Sequence, residues 1–200
     1  AWAASASRSA AGGGLLANDP HLDFTAPAIW YLARLHLSSG DVIGATIPGM
    51  PLVLLGRSEL LGWGLTSSYL DDQDVVMEKI NPDNPNQYLT TEGPKDFKEA
   101  RTIITVKGEA PVTITQRWSE AGPILPDSFY DLGTVTPTGA VAALEWTALD
   151  GADTSMSAAM ALMRAHSVDA AIAAAQGFVA PSQNLMLVDA LIKTRGAGVD

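Results

Sequence analysis

Two polar segments of the chain carry side chains that could act on an amide bond. In the first, the turn Asn18-Asp19-Pro20 precedes His21, and the proline restricts the backbone that presents the imidazole. In the second, Asn184 follows Pro181-Ser182-Gln183 at the start of an apolar run, where its side-chain amide could donate to a developing oxyanion. Each feature alone is more often structural, as a hydrogen-bonded histidine or a turn-forming asparagine. Together they favour amide-bond hydrolysis as the chemistry.

A run of acidic residues, Asp71-Asp72-Gln73-Asp74, follows the predicted strand that ends near Ser67. Closely spaced carboxylates and a backbone carbonyl are hard oxygen ligands that suit Ca²⁺. The run lacks the glycine and the distal glutamate of an EF-hand loop. On the residues alone it is therefore either a metal site or, more commonly, a solvated turn.

Composition narrows the classes of protein. The 200 residues are 47% hydrophobic, enough for a substantial core, and carry a formal net charge of -10. The few cations are scattered, so the sequence predicts no nucleic-acid partner, because phosphate binding needs clustered Lys and Arg. The chain has no cysteine, which excludes disulfides and thiolate chemistry. No apolar run reaches the roughly 18 to 20 residues of a membrane helix, and we expect no membrane insertion.

The elements that must position these groups change character along the chain. Short apolar or alternating runs, separated by turns such as Asn81–Pro85, predict strands in the first three quarters. They are Ile29–Leu37, Asp41–Ile47, Leu52–Leu55, Gly62–Ser67, Val75–Ile80, Arg101–Val106, Val112–Trp118 and Val141–Trp146. Helical spacing follows over Ser155–Met163 and over Ser167–Gln176, where Ser167 is the predicted N-cap, and a strand returns at Leu185–Val188. We expect an α+β fold with antiparallel sheets and a helical pair covering one sheet face.

The motifs occur in an order that resembles the start of the β-subunit of the penicillin acylase family, which includes the N-acyl homoserine lactone acylases. The resemblance covers LLANDPHL, APAIWY, the long segment Gly44–Ser68, DDQD, LEWTALD and PSQN. It implies the αββα sandwich of N-terminal nucleophile hydrolases. On this basis residues 1–200 form a single, incomplete domain: β-rich over 1–150, helical over about 153–177, with a strand over about 183–189.

The resemblance also implies where the nucleophile stands. The family's mature β chain begins Ser-Asn-x-Trp, and Trp2 matches that tryptophan, so the nucleophilic serine would stand two residues before Ala1. The free α-amino group of that serine serves as its base, which requires self-cleavage of a precursor. We therefore expect this chain alone to be inactive.

Roles for the other residues follow from the same resemblance. His21 matches the residue that holds the terminal amine, and the backbone N–H of Ser67 and the side-chain amide of Asn184 match the oxyanion hole. Leu22 and Leu55 fall where the acyl pocket lies. The substrate would be an N-acylated amine such as a β-lactam with an amide side chain or an acyl homoserine lactone.

The expected partners are an α-subunit and the remainder of the β-subunit, in the periplasm or outside the cell. Asp71, Asp74 and the carbonyl of Gln73 correspond to a structural Ca²⁺ site that also draws on residues outside this chain. Exposed strand edges make self-association of the fragment plausible. The alternative from another class is a secreted β-rich binding or scaffold module without catalysis.

Overall fold

The computed structural model describes residues 1–190 and 194–199. The strands are β1 (Trp2–Ala4), β2 (Leu15–Ala17), β3 (Tyr31–Leu37), β4 (Gly40–Thr46), β5 (Leu55–Arg57), β6 (Leu61–Ser67), β7 (Gln73–Asn81), β8 (Asn84–Thr90), β9 (Gly93–Asp96), β10 (Lys98–Ile104), β11 (Val112–Trp118), β12 (Ala140–Trp146), β13 (Gln183–Asp189) and β14 (Thr194–Val199). The helices are α1 (Ser155–Leu162) and α2 (Val168–Ala175), and three short 3₁₀ turns are also present. The predicted α+β class with antiparallel sheets is confirmed.

The backbone forms two compact units, residues 1–70 with 151–200 and residues 71–150. The first unit contains a six-stranded antiparallel sheet in the order β14-β13-β6-β5-β4-β3. It also contains the β1–β2 hairpin and both α-helices. The second unit contains a four-stranded sheet, β12-β7-β8-β9, and the separate β10–β11 hairpin. The expectation of one incomplete domain over residues 1–200 stays a prediction.

The core of the first unit lies between the six-stranded sheet and the helical pair. Trp63 on β6 and Leu187 on β13 are almost fully buried, and they pack with Val168 and Ala171 of α2. The indole of Trp63 donates through Nε1 to the carbonyl oxygen of Val53 at 3.2 Å, so its one polar atom is satisfied inside the core. The helical pair therefore covers one sheet face, as the Ala-rich spacing predicts.

The helix boundaries follow the sequence signals closely. The hydroxyl of Ser167 accepts a hydrogen bond from the N–H of Ala170 at 3.2 Å, which makes it the N-cap of α2 as expected. Asp189 on β13 accepts from the N–H of Val168 at 2.9 Å and so satisfies another orphan donor of the first turn. These two contacts fix the start of α2 against β13.

The opposite face of the six-stranded sheet carries small residues of β6 and supports the β1–β2 hairpin. A Cβ atom on Gly14, just before β2, would lie 2.3 Å from the Val188 side chain of β13. A Cβ on Gly64 of β6 would lie 2.7 Å from the side-chain oxygen of Asn18. Close approach of the hairpin therefore requires glycine at both positions. Within this unit the hairpin, the sheet and the helices form three successive layers.

Several strands differ from the sequence-based expectation. The predicted strand Leu52–Leu55 is wrong in extent, because Leu52 and Val53 are buried in an irregular segment and regular pairing begins only at β5. Val53 uses its carbonyl for Trp63, and its N–H lies 3.1 Å from the sulfur of Met163, so its backbone is satisfied without a strand partner. Strands β8 and β9 were not predicted, because residues 84–96 are polar and rich in turn formers.

Candidate active site

An apolar cavity of about 490 Å³ opens in the first unit where β6 ends. Its walls come from the loop after β2, the segment between β4 and β5, the end of β6, the start of α1 and the chain leading into β13. Most of the lining is aliphatic or aromatic: Leu22, Trp30, Ile47, Met50, Leu52, Leu54, Leu55, Leu65, Met156 and Phe178. The cavity therefore suits an apolar group with a few polar atoms at one end.

Four of the five predicted catalytic and substrate-binding residues line this cavity. They are His21, Leu22, Leu55 and Ser67. The fifth, Asn184, is not part of the lining, but its Nδ2 donates to the carbonyl oxygen of Ser67 at 3.3 Å. Ser67 and Asn184 are 117 residues apart in sequence, and the pairing of β6 with β13 brings them together. The structure thus gathers the five residues at one end of the sheet, while their chemical roles stay predictions.

The register of β6 and β13 determines where the N–H of Ser67 points. Ser67 lies opposite Gln183, and the following N–H, that of Ser68, donates to the carbonyl of Ser182 at 3.3 Å. Successive N–H groups of an antiparallel strand alternate between its two edges. The N–H of Ser67 is therefore directed away from β13.

The chain turns sharply after this point. Tyr69 has a φ of 55°, in the left-handed region that non-glycine residues seldom adopt, and the residue is 86% exposed. The turn ends the pairing with β13 directly after Ser68. Tyr69 also lines the cavity, so the unusual backbone lies at the mouth of the site.

His21 is placed on an exposed loop between β2 and β3. Its side chain is 80% exposed, and its Nδ1 lies 3.9 Å from a carboxylate oxygen of Asp19, which is too long for a hydrogen bond. The ring is therefore accessible and can contact another group at the cavity mouth. Leu22, the next residue, is 48% exposed and forms part of the same rim.

Sequence reasoning missed a polar cluster in the cavity wall. The hydroxyl of Ser155, at the start of α1, donates to Oδ1 of Asp153 at 2.6 Å and accepts from the N–H groups of Val179 and Ala180 at 2.8 and 2.9 Å. The hydrogen bonds from the Ser155 hydroxyl and from the Ser155 N–H hold the pKa of Asp153 below its usual range. Among the described residues that line the cavity, Asp153 is the only carboxylate. An Asp-Thr-Ser run before an Ala-rich helix is a helix-start signal that could have identified it.

The acidic run lies in the second unit. Asp71, Gln73 and Asp74 are exposed, and Oδ1 of Asp74 accepts a hydrogen bond from the N–H of Val75 at 3.0 Å. In the described part of the chain, no three His, Cys, Asp or Glu side chains converge as metal ligands. The oxygen chemistry fits Ca²⁺, but these residues supply fewer than the roughly six to eight oxygens that it takes.

Comparisons with known proteins give a consistent result. The penicillin amidase family model matches residues 1–193. An acyl-homoserine lactone acylase QuiP of Pseudomonas fluorescens (strain Pf0-1) is 30% identical over 190 residues, which is 94% of this chain and 23% of that protein. Penicillin G acylase of Escherichia coli is 28% identical over 124 residues, 62% of this chain and 15% of that protein. The chain thus spans less than a quarter of the length of these relatives.

A solved structure matches over almost the whole chain. The thermostable penicillin G acylase from Alcaligenes faecalis superposes with a TM-score of 0.80 at 26% sequence identity. The match covers 99% of this chain and 34% of that one. Among the described residues of the present chain, no helix combines the length and apolar character that crossing a bilayer requires.

Proposed function

This chain belongs to the penicillin amidase family, and from that premise we propose that it forms part of an enzyme that cleaves N-acyl amides through an acyl-serine intermediate. Its fold is part of the N-terminal nucleophile hydrolase sandwich. The observation that carries the proposal is the apolar cavity on which His21, Leu22, Leu55 and Ser67 converge beside Asn184. An apolar cavity with polar groups at one end suits an acyl chain whose amide lies at the mouth.

The proposed nucleophile is a serine two residues before Ala1. In the β1–β2 hairpin Trp2 lies opposite Ala17. Extended by three residues beyond the end of β2, that register would bring the proposed serine opposite Pro20, next to His21. This supports the idea that His21 holds the terminal amine of the serine. A free α-amino group there can act as the base that a serine hydroxyl needs near neutral pH.

The chemistry then proceeds in two stages. The seryl oxygen attacks the amide carbonyl, its proton passes to the α-amino group, and the proton is then delivered to the leaving amine as the C–N bond breaks. Water attacks the acyl-serine ester that remains and gives a proton to the α-amino group. That proton passes to the seryl oxygen as the ester bond breaks and the carboxylic acid is released. Each stage passes through a tetrahedral oxyanion that requires hydrogen-bond donors.

Ser67 and Asn184 are the donors we assign to the oxyanion. The N–H of Ser67 points away from β13, and the side-chain amide of Asn184 lies 3.3 Å from the carbonyl of the same residue. A backbone donor and a side-chain donor on neighbouring strands are held with little freedom, so they need little reorganisation when charge develops.

The substrate class follows from the cavity and the relatives. Leu22 and Leu55 favour an apolar acyl group, and the named relatives act on acyl-homoserine lactones and on penicillin G. We propose an N-acylated amine of this kind, with the α-subunit and the rest of the β-subunit completing the pocket, in the periplasm or outside the cell.

The acidic run has a proposed structural role. Asp71, Asp74 and the carbonyl of Gln73 would supply part of a Ca²⁺ site whose remaining ligands come from residues beyond this chain. In the full-length protein, added Ca²⁺ should raise the melting temperature, and Asp74→Asn should abolish that rise. A rise that persists in Asp74→Asn would reject this residue as a ligand.

The experiment that tests the function uses the full-length protein. It is purified, the new amino terminus is identified by mass spectrometry, and hydrolysis of N-acyl 4-nitroanilides with acyl chains of increasing length is measured. A free serine two residues before Ala1 and turnover that is lost on replacing that serine by alanine would support the proposal. A folded protein without such a terminus and without turnover would favour the non-catalytic binding module instead.

A further inference from the structure

The side chain of Asn18, at the end of β2, is in an unusual environment. Both its Nδ2 and its Oδ1 are buried, and neither meets a hydrogen-bonding partner within the described part of the chain. Buried side-chain amides nearly always have partners, because an unpaired buried polar atom costs free energy. The two atoms therefore indicate that Asn18 serves a group that these residues do not supply.

The sheet leaves space for this amide at one position. An alanine Cβ at Gly64 would lie 2.7 Å from Oδ1 of Asn18 and 2.8 Å from its Cγ, closer than such atoms approach. The amide therefore packs directly on the β6 backbone, where only glycine admits it. Thr66, two residues further along β6, faces the same side as Gly64, and its partner in the register is Asn184. Asn18 thus shares this sheet face with the proposed oxyanion donor.

The hairpin register shows which group Asn18 can reach. Continuing the β1–β2 pairing places Ala1 directly opposite Asn18, so their side chains point to the same face. Side chains two residues apart on a strand also share a face. In this register the residue two positions before Ala1 would lie on the side of the hairpin to which the Asn18 amide points, one diagonal neighbour away.

We propose that Asn18 is a positioning residue whose Oδ1 accepts a hydrogen bond from the α-amino group of the residue two positions before Ala1. The inference rests on the proposed function, which makes that residue the nucleophile. The hydrogen bond holds the amine so that its lone pair faces the seryl hydroxyl. Because a charged donor binds the carbonyl oxygen more strongly than a neutral one, the contact also raises the pKa of the amine.

The test compares three variants in the full-length precursor. Asn18→Ala removes the acceptor, Asn18→Asp replaces it by a carboxylate of the same shape, and Gly64→Ala displaces the intact amide. Gly62→Ala, on the same strand and face, is the matched control, since its Cβ would come closest to the Val188 side chain, at 3.1 Å, and would not meet Asn18. Rates are divided by the fraction of protein with a free serine terminus, and kcat/KM is measured against pH.

The expected result concerns the acidic limb of the pH profile. Activity requires the unprotonated amine, so its apparent pKa sets that limb. Asn18→Ala should move the limb to lower pH and reduce kcat about tenfold or more with little change in KM, because the base is misplaced. Asn18→Asp should move it to higher pH, by about one unit or more. Gly64→Ala should resemble Asn18→Ala, and Gly62→Ala should resemble the parent.

Three results would overturn the inference. One is an acidic limb of the pH profile that stays at the same pH in all Asn18 variants. That result is expected if Asn18 only binds a buried water and has a structural role. Another is equal behaviour of Gly64→Ala and Gly62→Ala. The last is that the Asn18 variants fold but none of them undergoes self-cleavage to a free amino-terminal serine. A residue that only orients the amine after cleavage is not needed for the cleavage itself. An inactive parent would instead refute the proposed function, whatever the variants do.

Discussion

Replacing Asn184 by alanine should separate catalysis from folding. Loss of one oxyanion donor costs about 10²- to 10³-fold in turnover, or about 2.7 to 4 kcal/mol in the barrier. The resting hydrogen bond from Asn184 to the Ser67 carbonyl is long, 3.3 Å, and lies on an exposed residue. Its contribution to folding should therefore be at the low end of the roughly 0.5 to 1.5 kcal/mol typical of such bonds. We expect a large loss of kcat with a small loss of stability.

The assay is kcat for an N-acyl 4-nitroanilide, together with urea unfolding, in the full-length protein. Asn184→Asp keeps the shape but places an acceptor where a donor is needed, so its kcat should fall at least as far as that of Asn184→Ala. Asn86→Ala is the matched control, because Asn86 is an exposed asparagine on β8 in the other unit. Its kcat should equal that of the parent.

One result would refute the reasoning directly. If Asn184→Ala is folded, has a free amino-terminal serine and keeps kcat within about threefold of the parent, the amide is not an oxyanion donor. A fall in kcat that matches the loss of folded protein would point instead to a structural role, since turnover per folded molecule would be unchanged.

Three further predictions follow from the cavity and the helical pair. In a series of substrates with longer and longer acyl chains, kcat/KM should rise by about fourfold per methylene until the cavity is full. Leu55→Trp should shorten the chain length at which kcat/KM is highest. If that chain length does not change, Leu55 is not part of the acyl pocket. The pKa of Asp153 is lowered by its hydrogen bonds from Ser155, so the stabilising effect of the carboxylate is present above about pH 4 and is lost as the pH falls through the lowered pKa. Asp153→Asn should therefore lower the melting temperature at pH 7 and have little effect on it near pH 2. An equal fall in melting temperature at both pH values would contradict this. Ser167→Ala removes the hydroxyl that caps Ala170 and should cost about 1 kcal/mol in urea unfolding without changing kcat; no measurable cost would mean that the cap contributes nothing.

Local sequence signals identified most elements because each depends on neighbouring residues. The alternation in β3 and β4, the Ala-rich spacing of α1 and α2 and the cap at Ser167 all predict what the structure contains. The signals failed where a distant partner decides. Leu52 and Val53 look like a strand, but their backbone is satisfied by Trp63 and Met163, so they form an irregular buried segment.

The candidate site divides in the same way. From the residues alone, His21 and Asn184 were chemically suitable but ambiguous, and only the order of several motifs indicated the family. Asn18 carried no chemical signal of its own, and Asp153 carried only the helix-start signal of an Asp-Thr-Ser run. Asp153 was identified because it lines the cavity, and Asn18 because its amide is buried and because of its position in the β1–β2 register. These are properties of the folded chain.

The sequence by itself determined most of the helices and strands, the absence of cysteine from these residues, the acidic charge and the family. Only the tertiary structure decided that Asn184 meets Ser67, that four predicted residues line one cavity and that the Asn18 amide is buried against Gly64. The physical reason is range. Helix caps and strand alternation are fixed within a few residues, whereas the site depends on strand pairing between segments 117 residues apart, whose register is set by packing of the whole sheet.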